Sequence, residues 1–231
     1  VSDAAGEPAD KSGGNLAASL AAEAARLGLE LPPEAAPRLA AYAASLWAWN
    51  ERLNLTRHTD LERFVSRDLG DSLAIEPHLA RGERLLDVGT GGGVPGVILA
   101  ILRPDLRVEL SESVAKKARA VGEIVREAGL ALPVHACAAQ ELVARRPAGA
   151  DRFDTLVVRA VAPLAKLLGW FEPLCASFGR LLVIKGPRFE DELAEAKSRR
   201  LGRAVSVRRI AAWPLRGTAN ESVLLEIRST G

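Results

Sequence analysis

LLDVGTGGGVPG, from Leu85 to Gly96, passes from an apolar run directly into five glycines and a proline. The stretch reads as the end of a buried strand followed by a bend kept free of side chains. In a sheet of parallel strands, ligands bind beyond the carboxyl ends. The first strand-to-helix bend lets main chain approach a ligand only where side chains are absent. Gly89, Gly91 and Gly93 meet that need, and a plain flexible turn is the bland reading of the same residues.

Downstream of Glu83 the pattern repeats as short apolar runs separated by amphipathic stretches: RLLDV, LRVEL, PVHAC, DTLVVRA and RLLVIKG. Alternation of this kind predicts a parallel sheet wrapped by helices. From about Arg203 two strand candidates, AVSVRRI and SVLLEI, are joined by a loop with Trp, Pro and Gly, which predicts a closing antiparallel pair. Upstream the chain is helical in pattern. Leu16, Leu20, Ala24 and Leu27 recur at helical spacing until Gly28. After Pro32-Pro33 a longer amphipathic run carries Leu39, Tyr42, Leu46, Trp47 and Leu53 and is predicted to end near Asn54. Two further helical pieces are predicted around Leu61–Leu69 and Asp71–Leu79. The organisation expected is a flexible tail over residues 1–14, a helical cap over 15–82 and a catalytic α/β domain over 83–231.

Composition narrows the function. With 48% hydrophobic and 26% charged residues and no apolar run of about 20 residues, the chain is expected to be a soluble, cytoplasmic protein without a membrane span or signal peptide. Cys137 and Cys175 match no C-x-x-C, and His58, His78 and His135 show no ligand spacing, so no metal site is expected. A net charge of +2 excludes a wholly basic nucleic-acid coat but leaves room for a local patch.

The glycines admit more than one ligand. Gly91 to Gly96 satisfies G-x-G-x-x-G with Glu112 about 20 residues on, as a dinucleotide fingerprint requires. That register starts late after the strand, however, and puts Pro95 where N–H groups should face a pyrophosphate. A Walker loop fails because no G-K-[ST] follows. The register opened by Asp87, D-x-G-x-G-x-G, is similar to that of class I S-adenosylmethionine methyltransferases. In that reading Glu112, at the end of LRVELSE, accepts both ribose hydroxyls; a solvated strand-end charge is its bland alternative.

WNERLNLTR (Trp49–Arg57), DSL (Asp71–Leu73), the glycine stretch, VAKK (Val114–Lys117), VVRAVAPL (Val157–Leu164) and VIKGP (Val183–Pro187) follow one another in order. Over residues 16–228 the chain resembles the bacterial 16S rRNA guanine-N7 methyltransferases, also called glucose-inhibited division protein B. The resemblance implies a Rossmann-like, seven-stranded, mostly parallel sheet with a helical extension, S-adenosylmethionine as donor and N7 of guanine 527 in the small subunit as acceptor. It implies that Asp87, Gly89, Gly91, Gly93 and Val94 meet the cofactor, that Glu112 holds the ribose, that Ala138 and Ala139 flank the adenine, and that Arg159 lines the cofactor and acceptor cleft. Arg159 and Lys185 are the candidates for orienting the guanine or a nearby phosphate and Asn54 for contacting the base edge, although Asn54 also reads as a plain helix C-cap. Guanine N7 carries a lone pair and no proton, so no catalytic base is predicted.

RNA contacts are expected from Arg52, Arg57, Arg63 and Arg67 on one side and Lys185 and Arg188 on the other, on a monomer. The chain departs from the family pattern at Asp68, where a histidine is replaced by an acid on the presumed RNA face, at Cys137 and Ala139 and at Glu221-Ser222. These changes leave open a cofactor-binding paralogue that only contacts the ribosome, or a methyltransferase with another acceptor.

Overall fold

The computed structural model describes residues 11–146, 149, 151–215 and 219–230. Its helices are α1 (Lys11–Arg26), α2 (Ala35–Asn50), α3 (Leu61–Arg63), α4 (Gly70–Ile75), α5 (Gly96–Leu102), α6 (Ala115–Glu127), α7 (Ala139–Arg145), α8 (Leu164–Phe171) and α9 (Phe189–Ser198). Its strands are β1 (Arg84–Val88), β2 (Arg107–Ser111), β3 (Val134–His135), β4 (Phe153–Arg159), β5 (Phe178–Lys185), β6 (Val205–Pro214) and β7 (Glu221–Ser229).

They form one seven-stranded sheet in the order β3-β2-β1-β4-β5-β7-β6. The first five strands are parallel, β7 runs antiparallel to β5, and β6 pairs antiparallel with β7. The chain winds outward from β1 in one direction and from β4 in the other. The crevice between the carboxyl ends of β1 and β4 is therefore the topological switch point, where sheets of this class bind ligands.

Because successive strand side chains face opposite ways, each strand feeds two cores. Leu85, Val157, Leu182 and Leu224 pack with α1, α2, α5 and α6. Leu86, Val88, Leu156, Val158, Leu181 and Val183 pack with α7, α8 and α9. Leu20, Leu39, Tyr42 and Leu46 of the first two helices are 0% exposed and share the first core, so the helical segment is continuous with that face of the sheet.

Several boundaries differ from the sequence reading. The first helix begins at Lys11, inside the stretch expected to be tail, and residues 1–10 lie outside the described residues. The second ends at Asn50, not near Asn54, and Glu51 takes the C-cap position. The two pieces expected between Leu61 and Leu79 are one run, in which a π-helical segment (Phe64–Leu69) joins α3 to α4 and a 3₁₀ turn (Glu76–His78) closes it. Phe64, Val65 and Leu69 are 0% exposed, and a widened turn turns Asp68 inward beside them. Periodicity alone does not reveal such an insertion, because it shifts the buried face by one residue.

Candidate functional site

The bend after β1 is closed by its own acid. Asp87 Oδ2 accepts from the Thr90 hydroxyl at 2.6 Å and from Gly96 N–H at 2.9 Å, joining the two ends of the loop. Asp87 is 1% exposed, and burial pushes its carboxyl up to about 6 although both donors favour the ionised form. Its Oδ1 is buried without a partner among the described residues.

Two glycines show what the bareness accommodates. A Cβ on Gly96 would stand 2.5 Å from Leu110 Cδ2 and 2.8 Å from Asp87, so only glycine lets the helix start this close to the strand. Gly93 holds φ +106°, and a side chain there would meet the Tyr42 hydroxyl at 3.1 Å. Part of the glycine requirement is thus internal. Helix α2 presses on the loop from outside, and the Tyr42 hydroxyl donates to Gly92 O at 2.9 Å.

Above the bend lies the Asn54–Thr56 segment. Asn50, the last residue of α2, accepts with one side-chain oxygen from Leu55 N at 2.8 Å and Thr56 N at 2.9 Å. Leu55 O then lies within 3.6 Å of the positions a Cβ would take on Gly91 and Gly92. Trp47 Nε1 donates to His58 O at 2.9 Å and holds the far end of the segment. Asn54 is exposed and lies four residues beyond the helix end, which removes the C-cap explanation for it.

Glu112 follows β2 and is 7% exposed. One oxygen accepts from Gly91 N at 3.2 Å and the other from Val114 N at 2.8 Å. A carboxylate offers about four acceptor sites, so capacity remains for two hydroxyls, and this donor set fits a ribose next to a glycine bend. Ala138 is half-buried directly before α7, whereas Ala139 is 4% exposed with its methyl in the second core. Val94 packs partly buried on the first core. Cys137 is half-buried, and its carbonyl accepts from the Ser111 hydroxyl.

Arg159 ends β4 on the face that looks toward α2, since Val157 two residues before it packs there. Its Nε donates to Asp71 Oδ2 at 2.8 Å and its Nη2 pairs with Asp68 Oδ1 at 2.7 Å. His58 Nδ1 also meets Asp68 Oδ1, at 2.7 Å, and Trp213 Nε1 donates to Asp71 Oδ1 at 3.0 Å. Burial works against the guanidinium charge, but the Asp68 and Asp71 carboxylates outweigh it and raise the Arg159 pKa. Asp68 is 0% exposed; it is therefore an interior partner of Arg159 and not a residue of the RNA face, as its sequence position had implied.

Lys185 goes elsewhere. Arg159 pairs in register with Ile184, so the next side chain along β5 leaves on the opposite face of the sheet. There the Lys185 ammonium donates to Ala162 O at 2.7 Å and Glu192 Oε2 at 2.6 Å, bracing the turn before α8. The structure does not bring Lys185 together with Arg159.

Of the other cations, Arg52, Arg57 and Arg188 are exposed. Arg63 is also exposed and lies 3.5 Å from Asp60, and Arg67 Nε is buried without a partner among the described residues. Glu221 pairs with Arg209 at 2.9 Å, and Ser222 is buried. Among the described residues no group of three or more His, Cys, Asp and Glu side chains is placed to hold a metal ion, and no helix is long and apolar enough to cross a membrane. Asp71, His58 and Trp213 were not singled out as site residues by sequence. The three-residue spacing of Asp68 and Asp71 within an apolar helical run was the one available signal, because it puts two acids on one buried face.

The sheet order, the glycine bend closed by Asp87 and the Glu112 carboxylate beside that bend at the end of β2 are those of a class I methyltransferase that uses S-adenosylmethionine. Solved structures agree on the fold: the Bacillus cereus O-methyltransferase in complex with SAH has a TM-score of 0.58 at 16% identity, covering 94% of this chain and 100% of that one. An MtNAS mutant in complex with S-adenosylmethionine gives 0.52 at 16% identity, over 82% of this chain and 77% of that one.

The family model for rRNA small subunit methyltransferase G matches residues 35–213. Relatives carrying the name ribosomal RNA small subunit methyltransferase G include one from Rhodopirellula baltica, 44% identical over 85% of this chain and 83% of its own length. Others are from Roseiflexus sp., 41% identical over 74% of each chain, and Desulfitobacterium hafniense, 33% identical over 89% of this chain and 85% of its own. The chain belongs to the rRNA small subunit methyltransferase G family.

Proposed function

We propose that the protein transfers the methyl group of S-adenosylmethionine to N7 of guanine 527 in 16S rRNA, acting in the cytoplasm as a monomer. The observation that carries this reading is the convergence on one glycine bend of the Glu112 carboxylate and the Asn54–Thr56 segment clamped by Asn50. The cofactor supplies a methyl group already activated by a sulfonium. The chain's contribution is to bind and orient, because the acceptor nitrogen has a lone pair and no proton to remove. Glu112 holds the ribose hydroxyls, with Gly91 N–H keeping its carboxylate in place.

Asp87, Gly89, Gly91, Gly93 and Val94 shape the cofactor's bed, Ala138 and Ala139 bound its adenine side, and Arg159 and exposed Asn54 face the acceptor. Lys185 supports them from the other side of the sheet by holding the Ala162 turn. The helical segment over residues 15–82 serves as the acceptor-side cap. Arg52, Arg57, Arg63, Arg67 and Arg188 supply phosphate contacts.

The test is incubation with labelled S-adenosylmethionine and small subunits that lack the modification, followed by chemical strand cleavage at N7-methylguanosine. Label at guanine 527 that disappears in Glu112→Ala is the expected result. Cofactor binding without transfer, or label at another nucleotide, would overturn the reading.

A further inference from the structure

Arg159 has three guanidinium nitrogens, and two are committed to buried acids: Nε to Asp71 and Nη2 to Asp68. Among the described residues no hydrogen bond or ion pair is made by Nη1, and the side chain is 15% exposed. The acids are themselves anchored, Asp71 by Trp213 from β6 and Asp68 by His58 from the clamped segment. Two carboxylates against one guanidinium leave no net positive charge to attract a phosphate, and at close range they would repel one. The remaining N–H groups nonetheless stay strong, fixed donors. Their place is beside the bend: Arg159 ends β4, Ala160 turns the chain with φ +55°, and Val161 lies 3.0 Å from the position a Cβ would take on Gly89.

A donor fixed in this way suits a neutral carbonyl. Guanine shows two acceptors on one edge, N7 and O6. If N7 receives the methyl group, O6 is the neighbour left to hold. We propose that Arg159 Nη1 donates to O6 of the acceptor guanine and so aims N7 at the methyl group, with Asp68 and Asp71 as the positioning residues that fix the fork. This inference rests on the proposed reaction. It makes Arg159 a reader of the base and not a binder of phosphate.

The experiment is a cycle of protein and acceptor. Small subunits are reconstituted with guanine or with 2-aminopurine, which lacks O6, at position 527, and methyl transfer is measured with wild type, Arg159→Lys and Asp71→Asn. Transfer by wild type to guanine comes first, and its failure would count against the reaction itself. Arg159→Lys keeps the cation but loses the planar fork whose separate nitrogens meet Asp71 and Asp68. On guanine it is expected to lose about tenfold to a hundredfold in kcat, the scale of one base-edge contact. On 2-aminopurine it is expected to match wild type. Asp71→Asn should show a smaller loss that also vanishes on 2-aminopurine, and cofactor affinity should be unchanged in both variants.

Equal fractional losses on both acceptors would overturn the proposal. So would a cofactor affinity weakened in step with kcat. A slope of subunit affinity against salt that becomes shallower by about one in Arg159→Lys would assign the residue to a phosphate and overturn it as well.

Discussion

Two buried ionic clusters sit at opposite ends of the same sheet, and they are built differently. At the amino ends of the parallel strands, Arg180 donates to Thr155 at 2.8 Å, pairs with Glu83 at 3.0 Å and Glu226 at 3.3 Å, and reaches the carbonyl of His78. Glu83 also accepts from Ala80 N and the Thr155 hydroxyl, and Glu226 from Arg208 and Arg228. At the carboxyl ends, the cluster around Arg159 and the neighbouring Asp87 leave atoms over. The buried side-chain atoms without a partner among the described residues are Asp87 Oδ1, Asp68 Oδ2 and Arg67 Nε, all at this end. A satisfied network ties the fold together, whereas an incompletely satisfied one costs stability and is tolerated where groups must stay available for a ligand.

The comparison is broken most directly at Arg180. Arg180→Ala strands Glu83 in the interior and should cost about 3–5 kcal/mol in urea unfolding. Methyl transfer per folded molecule should be unchanged, because no site residue touches Arg180. Loss of activity at full stability would erase the distinction between the two ends.

Acidity sharpens it next, because the two ends carry opposite signs. The carboxyl of Asp87 is raised to about 6 in the folded protein, so its contribution is fully present below the unfolded value and is lost as pH rises through 6. Asp87→Asn should remove a fall in stability on the order of 3 kcal/mol between about pH 4 and pH 6, measured by denaturant titration at each pH. Glu226 is the reverse. Burial alone would raise its carboxyl, but bonds from Arg228, Arg208 and Arg180 hold it down to about 2. Its contribution is present above the ordinary glutamate range and fades as pH falls toward 2. Glu226→Gln should therefore flatten the acid limb of the stability profile below about pH 5 and leave the fall between about pH 5 and 6 unchanged.

The smallest effect belongs to the clamp. Asn50→Ala leaves Leu55 and Thr56 N–H without their acceptor and should cost about 1–2 kcal/mol. Its signature should be a several-fold rise in KM for S-adenosylmethionine with kcat nearly intact, since the segment lies against Gly91 and Gly92. A normal KM would mean that the segment does not shape the cofactor loop.

The strands and the glycine bend were legible in the sequence because each rests on local chemistry. Alternating runs such as Leu85-Leu86 or Leu156 to Val158 must fill cores on both sides, and glycines between a strand and a helix mark a backbone that side chains would obstruct. Glu112 could be placed by its distance from that bend. Lys185 could not, because nothing in VIKGP says which face of the sheet it leaves from until the register of β5 against β4 is known.

The sequence by itself determined the α/β alternation, the glycine bend with Glu112 about 20 residues on, and the family. These depend on residues near one another in the chain and on patterns repeated at fixed spacing. Only the tertiary structure decided that Asp68 lies inside, that His58, Asp71 and Trp213 surround Arg159, and that α2 braces the glycine loop. Those contacts join segments as far apart as Asp71 and Trp213, and charge and burial at one residue carry no record of which distant partner answers them.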